Sequence, residues 1–207
     1  LASALGLGAL HYKDEGGRFG LGSFKALGGA YAVLRHLAAR LEADHGLSGI
    51  DGTALRSGRY GELTRAITVT SATDGNHGRS VAWGARLFGC RCVIYIHAEV
   101  SPGREAALRA QGAEVVRVDG NYDASIARCS ADAQAAGWTI VSDTSWPGYR
   151  DIPRDVMAGY SLRASEIVAQ LDGRAPSHVF VQGGVGGIAG TLAELFARQW
   201  GAVRPRF

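Results

Sequence analysis

From residue 67 onward the chain alternates short apolar runs with amphipathic stretches, and this alternation restricts the fold more than any other feature. Residues 67–70, 92–96, 114–118, 139–141 and 178–182 read as strands, four of them too short and too apolar for surface helices. The segments 76–88, 102–110, 122–136, 153–171 and 188–198 carry helical spacing, with Val81, Ala82, Ala85 and Phe88 on one face of the first. Parallel strands need a crossover of a dozen or so residues, normally a helix, and that is what each interval supplies. The expectation is an α/β fold, a parallel sheet with helices on both faces. Gly112 and Gly137 fall where helix C-caps would precede the third and fourth strands. Ahead of this region, residues 6–22 are glycine-rich and 24–43 have a strong helix pattern. Residues 44–62 are polar, lack a period and read as a surface loop.

Bulk properties narrow the function classes. The 207 residues are 46% hydrophobic and 20% charged, enough for a sizeable core. A net charge of +3 without basic runs gives no footprint for nucleic acid. The apolar runs are too short to span a membrane, and residues 1–10 lack a basic secretory n-region. Three cysteines, Cys90, Cys92 and Cys129, in a chain without such a signal suggest reduced thiols in a cytoplasm. Cys90-Arg91-Cys92 has no second ligand pair at zinc spacing, so a structural role is expected and no metal site. The only methionine is Met157 and residues 200–207 stop straight after a helix pattern, which reads as a chain truncated at both ends.

Four segments concentrate polar and glycine residues beside predicted helix starts. Arg18 to Lys25, R-F-G-L-G-S-F-K, opens the first helix, with Ser23 as the expected N-cap and Lys25 in the first turn. A cation there opposes the helix dipole, which suits an amine that must shed its proton before attacking an aldehyde; a solvated surface lysine is the other reading. Ser71 to Gly78, S-A-T-D-G-N-H-G, joins a strand to a helix, where parallel sheets bind ligands, although Asp-Gly is also a common turn pair. Gln182 to Gly187, Q-G-G-V-G-G, can turn several N–H groups toward a phosphate at a helix N-terminus. Gly184, Gly186 and Gly190 are spaced one residue too widely for the usual dinucleotide fingerprint, which favours a phosphate monoester. Asp143 to Tyr149, D-T-S-W-P-G-Y, follows a strand, so Asp143 would join the other loops or stand exposed in a turn.

The order of these segments resembles the fold type II, tryptophan-synthase-β-like pyridoxal phosphate enzymes. Within that group, R-F-G-L-G-S-F-K-A-L-G-G-A-Y-A, T-D-G-N-H-G-R-S-V-A-W and D-T-S-W-P-G-Y-x-x-I-P are similar to the diaminopropionate ammonia-lyases. The resemblance implies pyridoxal 5'-phosphate held by Lys25 as a Schiff base, with Lys25 then acting as a base at Cα. It implies Asn76 at the cofactor's ring hydroxyl and Gly183, Gly184, Gly186 and Gly187 around its phosphate. Thr73, Gly75 and His77 would hold the substrate carboxylate. Asp74 would be a second base opposite Lys25, letting both D- and L-2,3-diaminopropionate lose a proton and yield pyruvate and ammonia. Asp143 would bind the substrate's amino group or assist its departure.

Further expectations follow from the same resemblance. Residues 31–174 would form a small α/β domain, with 1–30 and 175–207 belonging to a large one. The substrate is a small amino acid, and the full-length enzyme a cytoplasmic homodimer without nucleic-acid or membrane partners. A threonine or serine dehydratase of the same fold is the nearest alternative, against which Asp74 speaks. A catalytically silent chain acting as a binding or assembly partner is another. A nicotinamide-dependent oxidoreductase would leave Lys25 and the T-D-G-N-H-G-R loop unexplained.

Overall fold

The structure is a computed structural model that describes residues 1–73 and 75–207. Among these, the strands β1 (Thr68–Ala72), β2 (Arg91–His97), β3 (Glu114–Val118) and β4 (Thr139–Ile140) form one parallel sheet in the order β3-β2-β1-β4. Thr70 pairs with Val93 on one side and Ile140 on the other, which puts β1 in the interior of the sheet.

Eight α-helices are described: α1 (Lys25–His45), α2 (Gly52–Arg56), α3 (Gly61–Arg65), α4 (Asn76–Phe88), α5 (Pro102–Arg109), α6 (Tyr122–Ala136), α7 (Asp151–Gln170) and α8 (Gly187–Trp200). Several boundaries follow from side-chain caps. Asp51, Ser101 and Asn121 accept from the N–H groups of Ala54, Arg104 and Ala124 at the starts of α2, α5 and α6, and Pro102 occupies the first position of α5.

The period-two alternation along β2 divides the core. Cys92, Ile94 and Ile96 join Val69 and the apolar faces of α1, α4, α7 and α8 on one side. Val93 and Tyr95 meet Cys129 of α6 on the other. The sheet is therefore covered on both faces, as expected of all-parallel strands. Thr70 is fully buried and donates to Val93 O at 2.8 Å, which satisfies its hydroxyl within the sheet.

α1 lies between α4 and α7 at close range because all three carry small residues at the contact. A Cβ on Gly84 would lie 2.7 Å from Ala30 Cα, and one on Gly159 would lie 2.5 Å from Leu27 O. The Ser80 hydroxyl bridges α1's backbone, accepting from Ala30 N at 3.0 Å and donating to Ala26 O at 3.1 Å. The helix that begins with Lys25 is thus fixed against two others by backbone-level contacts.

Four expectations need correction. Residues 178–182 do not form a fifth strand: His178 makes only an isolated bridge to Arg206, and Phe180 is 94% exposed. An extended segment becomes a strand only when a neighbour pairs with its backbone, and the described residues offer this one little beyond Arg206. Residues 44–62 are not simply a loop, since α2 and the start of α3 lie there and Leu55 is buried against the core. The surrounding glycines and charges mask helices this short. α1 starts at Lys25 with Phe24 as N-cap, and the Ser23 hydroxyl accepts from Lys25 N–H at 3.2 Å rather than from deeper in the helix. α5 likewise ends before Gly112, which takes a positive φ of 86° in the following turn, while Gly137 caps α6 as expected.

Candidate active site

The strand order reverses at β1: the chain runs outward through β2 and β3, then returns to β4 on β1's other side. At such a reversal a crevice opens beyond the carboxyl ends of the two strands. The loops that follow β1 and β4 flank it; they carry Thr73 and Gly75, and Asp143, while Asn76 and His77 open α4 beside them.

The loop after β4 is closed on itself. The Tyr149 hydroxyl accepts from Ser142 N–H at 2.9 Å and donates to Ile140 O at 2.8 Å. Its ring stacks on Trp146 with centroids 3.9 Å apart, and the two backbones exchange hydrogen bonds. Gly148, at φ 84°, allows the reversal. Asp143 projects from this clipped loop and accepts from Lys25 Nζ.

Lys25 reaches that carboxylate from the first turn of α1. The segment before it is anchored on two sides. Arg18 forks onto Glu15 and onto Glu166 of α7, the latter at 2.8 and 2.6 Å, and bidentate pairing of this kind fixes orientation. Phe19, held at φ 49°, stacks on Trp83 of α4 with centroids 5.1 Å apart. The hydrogen bond from Arg18, and after it that from Lys13, hold the Glu166 carboxyl down at about 2 against burial.

Behind Asp143 lies His77, buried in the first turn of α4. Its Nε2 is 2.9 Å from Val141 O. A carbonyl only accepts, so Nε2 carries the proton, and Nδ1 faces Asp143 Oδ2 at 3.9 Å. Burial lowers the pKa of His77 despite the carboxylate nearby. Burial alone would raise that of Asp143, but His77, the hydrogen bond from Lys25 and the Lys25 charge outweigh it and hold the carboxyl below its usual range.

Lys25 and Asp143 line a cleft of about 110 Å³ together with Phe24, Val156, Met157, Tyr160 and residues 182–188. Gly186 adopts φ 85° as it opens α8, and a Cβ on Gly183, Gly184 or Gly186 would meet nothing within 4 Å. The loop therefore leaves open space at a helix N-terminus, where free N–H groups and the dipole favour an anion. Lys25 beside open backbone at a helix start, with a buried tyrosine hydroxyl that has no partner among the described residues, fits a phosphorylated aldehyde attached through the lysine.

The structure thus gathers Lys25, Asp143, Gly183, Gly184, Gly186 and Gly187 around one cleft. Thr73 and Gly75 on the neighbouring loop, and Asn76 at the start of α4, do not line it; Thr73 Oγ1 accepts from Gly75 N at 3.3 Å. His77 is 5% exposed and touches the cleft only through Asp143. Asp74 lies outside the described residues. Sequence reasoning missed Tyr160, although Val156, Gly159 and Tyr160 fall at the spacing of one face of α7. It also missed the clip made by Tyr149.

Comparison with known proteins shows what the chain as a whole is similar to. The diaminopropionate ammonia-lyase of Salmonella typhimurium is 39% identical over 202 residues, covering 96% of this chain and 50% of its own length. A Burkholderia thailandensis protein named "Probable D-serine dehydratase" is 33% identical over 189 residues, 87% of this chain and 41% of that protein. The crystal structure of the Escherichia coli diaminopropionate ammonia lyase in complex with D-serine matches with a TM-score of 0.80 at 37% identity, covering 90% of this chain and 48% of that one. The chain spans about half the length of the curated ammonia-lyases it matches. The family described as pyridoxal-phosphate dependent enzyme matches residues 1–206, and this chain, with its lysine, carboxylate and glycine loop around one cleft, belongs to that family.

Proposed function

We propose that the chain supplies the cofactor lysine, the phosphate loop and part of the substrate site of an ammonia-lyase acting on 2,3-diaminopropionate. The observation that carries this reading is Lys25 Nζ paired with Asp143 in a cleft walled by the glycine loop. Lys25 would hold pyridoxal phosphate, and Gly183, Gly184, Gly186 and Gly187 would surround its phosphate. When bound, the cofactor supplies an electron sink that makes a substrate Cα–H acidic.

The residues of the chain account for the rest. Asp143, which accepts from Lys25 Nζ, would orient the lysine nitrogen in the cleft and bind the substrate's amino group or assist its departure. Its carboxylate, held charged by its neighbours, also suits a substrate with a second, cationic amino group. His77, assigned to the substrate carboxylate by its motif, lies behind Asp143 with its Nε2 tied to Val141 O. Asn76, at the start of α4, and Thr73 and Gly75, on the loop after β1, are assigned to the cofactor ring and substrate carboxylate by their motif. Asp74 is assigned as the base on the opposite face, which would admit both D- and L-isomers.

The reading also includes a division of the chain. The sheet lies wholly within residues 31–174, the proposed small domain, and segments 1–30 and 175–207 are assigned to a large one. Assembly as a homodimer and a cytoplasmic setting belong to the same proposal; three free cysteines fit a reducing compartment. No helix among the described residues is long and apolar enough to cross a membrane.

The test is a titration of the purified chain with pyridoxal phosphate, alongside Lys25→Ala. A visible band that borohydride removes, absent from the variant, followed by pyruvate release from D- and L-diaminopropionate, is expected. A folded chain whose spectrum is the same with alanine at position 25 would refute the assignment.

A further inference from the structure

Tyr160 stands out among the buried polar groups. It is 2% exposed, yet its hydroxyl has no hydrogen-bond partner among the described residues. A buried hydroxyl without a partner is a destabilising feature, and native structures rarely keep one that has no use. Its surroundings are specific. The ring lines the cleft with Lys25 and the glycine loop. It packs edge-on to Phe24 with centroids 5.1 Å apart. It lies under the starts of two helices: a Cβ on Gly28 of α1 would be 2.5 Å from Tyr160 Cε1, and one on Gly187 of α8 would be 3.7 Å from Cε2.

Each of these helices is long enough to carry a full dipole, and each directs its unpaired N–H groups toward its own start. Two positive helix ends beside a donor without an acceptor make a site for an anion. A leucine or phenylalanine would have filled the same volume without a buried polar atom. Burial, and then the charge of Asp143, raise the phenol's pKa above its ordinary value, so the hydroxyl remains a neutral donor.

We propose that the Tyr160 hydroxyl donates a hydrogen bond to a phosphate oxygen of the ligand held between the starts of α1 and α8. Tyr160 is then a phosphate-binding residue from α7, separate from the glycine loop, and it couples occupancy of the cleft to the packing of α7 against α1. The assignment rests on the proposed cofactor site, which it deepens.

The experiment uses Tyr160→Phe, which removes only the hydroxyl oxygen, in the full chain. Three probes are titrated: pyridoxal phosphate, pyridoxal without the phosphate, and inorganic phosphate, with urea stability measured in the absence of any of them. The variant should be at least as stable as the parent without ligand, because an unpaired polar atom is gone. Its affinity for pyridoxal phosphate should fall roughly tenfold to a hundredfold, the range for a hydrogen bond to a charged group. Its affinity for pyridoxal should be unchanged, and protection by inorganic phosphate should weaken.

Equal losses for pyridoxal and pyridoxal phosphate, or no loss for either, would overturn the assignment. So would a variant less stable without ligand, since the hydroxyl would then have a partner within the protein. A parent chain that is protected by inorganic phosphate through Tyr160 but forms no visible band would defeat the proposed enzyme while leaving the phosphate contact standing.

Discussion

Gly159→Ala tests whether the helix carrying Lys25 is positioned by backbone contact. Alanine normally stabilises a helix interior by about 1 kcal/mol over glycine, so propensity alone predicts a gain. Packing predicts the opposite. The new Cβ would lie 2.5 Å from Leu27 O, 2.9 Å from Gly28 Cα and 3.0 Å from Leu27 C, where ordinary contact begins near 3.4 Å. All three atoms are α1 backbone, so no side chain can swing aside, and α7 must retreat by about 0.9 Å or α1 must shift. Overpacking costs about 1–3 kcal/mol, and a rigid neighbour places this site at the upper end. The net expectation is a loss of about 2 kcal/mol, or roughly 4–8 °C in Tm for a chain of this size. Urea unfolding followed by circular dichroism measures it as a midpoint lowered by about 1 M. Gly103→Ala is the internal comparison, because a Cβ there meets nothing within 4 Å, and it should gain about 0.4–1 kcal/mol. A midpoint for Gly159→Ala at or above the parent's would refute the close approach of α7 to α1.

Two further tests reach other parts of the site. Tyr149→Phe leaves Ser142 N–H without its acceptor and frees Ile140 O; a loss of about 1–3 kcal/mol in urea unfolding and a weakened response to pyridoxal phosphate are expected, and full stability would show the loop is closed by stacking alone. Glu166 has a depressed folded-state pKa, so its stabilising contribution is present above its ordinary value of 4.5 and is lost as pH falls toward about 2. The stability difference between the parent and Glu166→Gln should therefore be largest above pH 4.5 and shrink toward pH 2; a difference that stays constant over that range would rule out the ion pair as its source.

How far the sequence could be read depended on the range of the interactions. β1 to β4 and α4 to α8 were legible because each carries its own apolar periodicity between glycine turns. Lys25 and the glycine loop could be read from residue type and position at helix starts. The failures are of other kinds. Residues 178–182 have a strand's composition, but strand formation depends on a neighbour, which composition does not report. Residues 52–65 hide two short helices because Leu55 and Leu63 are too few to show a period. Tyr160 could not be distinguished from any core aromatic, since what sets it apart is the absence of a partner for one atom. The direct pairing of Asp143 with Lys25, and the place of His77 behind it, needed two helix starts and one loop to be brought together.

The ties of the N-terminal segment also impose an order on assembly. Arg18 binds Glu166 and Lys13 binds Gln170, partners 148 and 157 residues downstream, and Lys25 meets Asp143 118 residues on. At roughly 5–20 residues per second, the ribosome finishes Arg18 about 7–30 s before its partner exists. The sheet can close while that segment is still waiting, so residues made before the sheet take their places after it. A nascent chain halted before α7 would contain β1 to β4 and Asp143 but would leave Lys13 and Arg18 without Gln170 and Glu166.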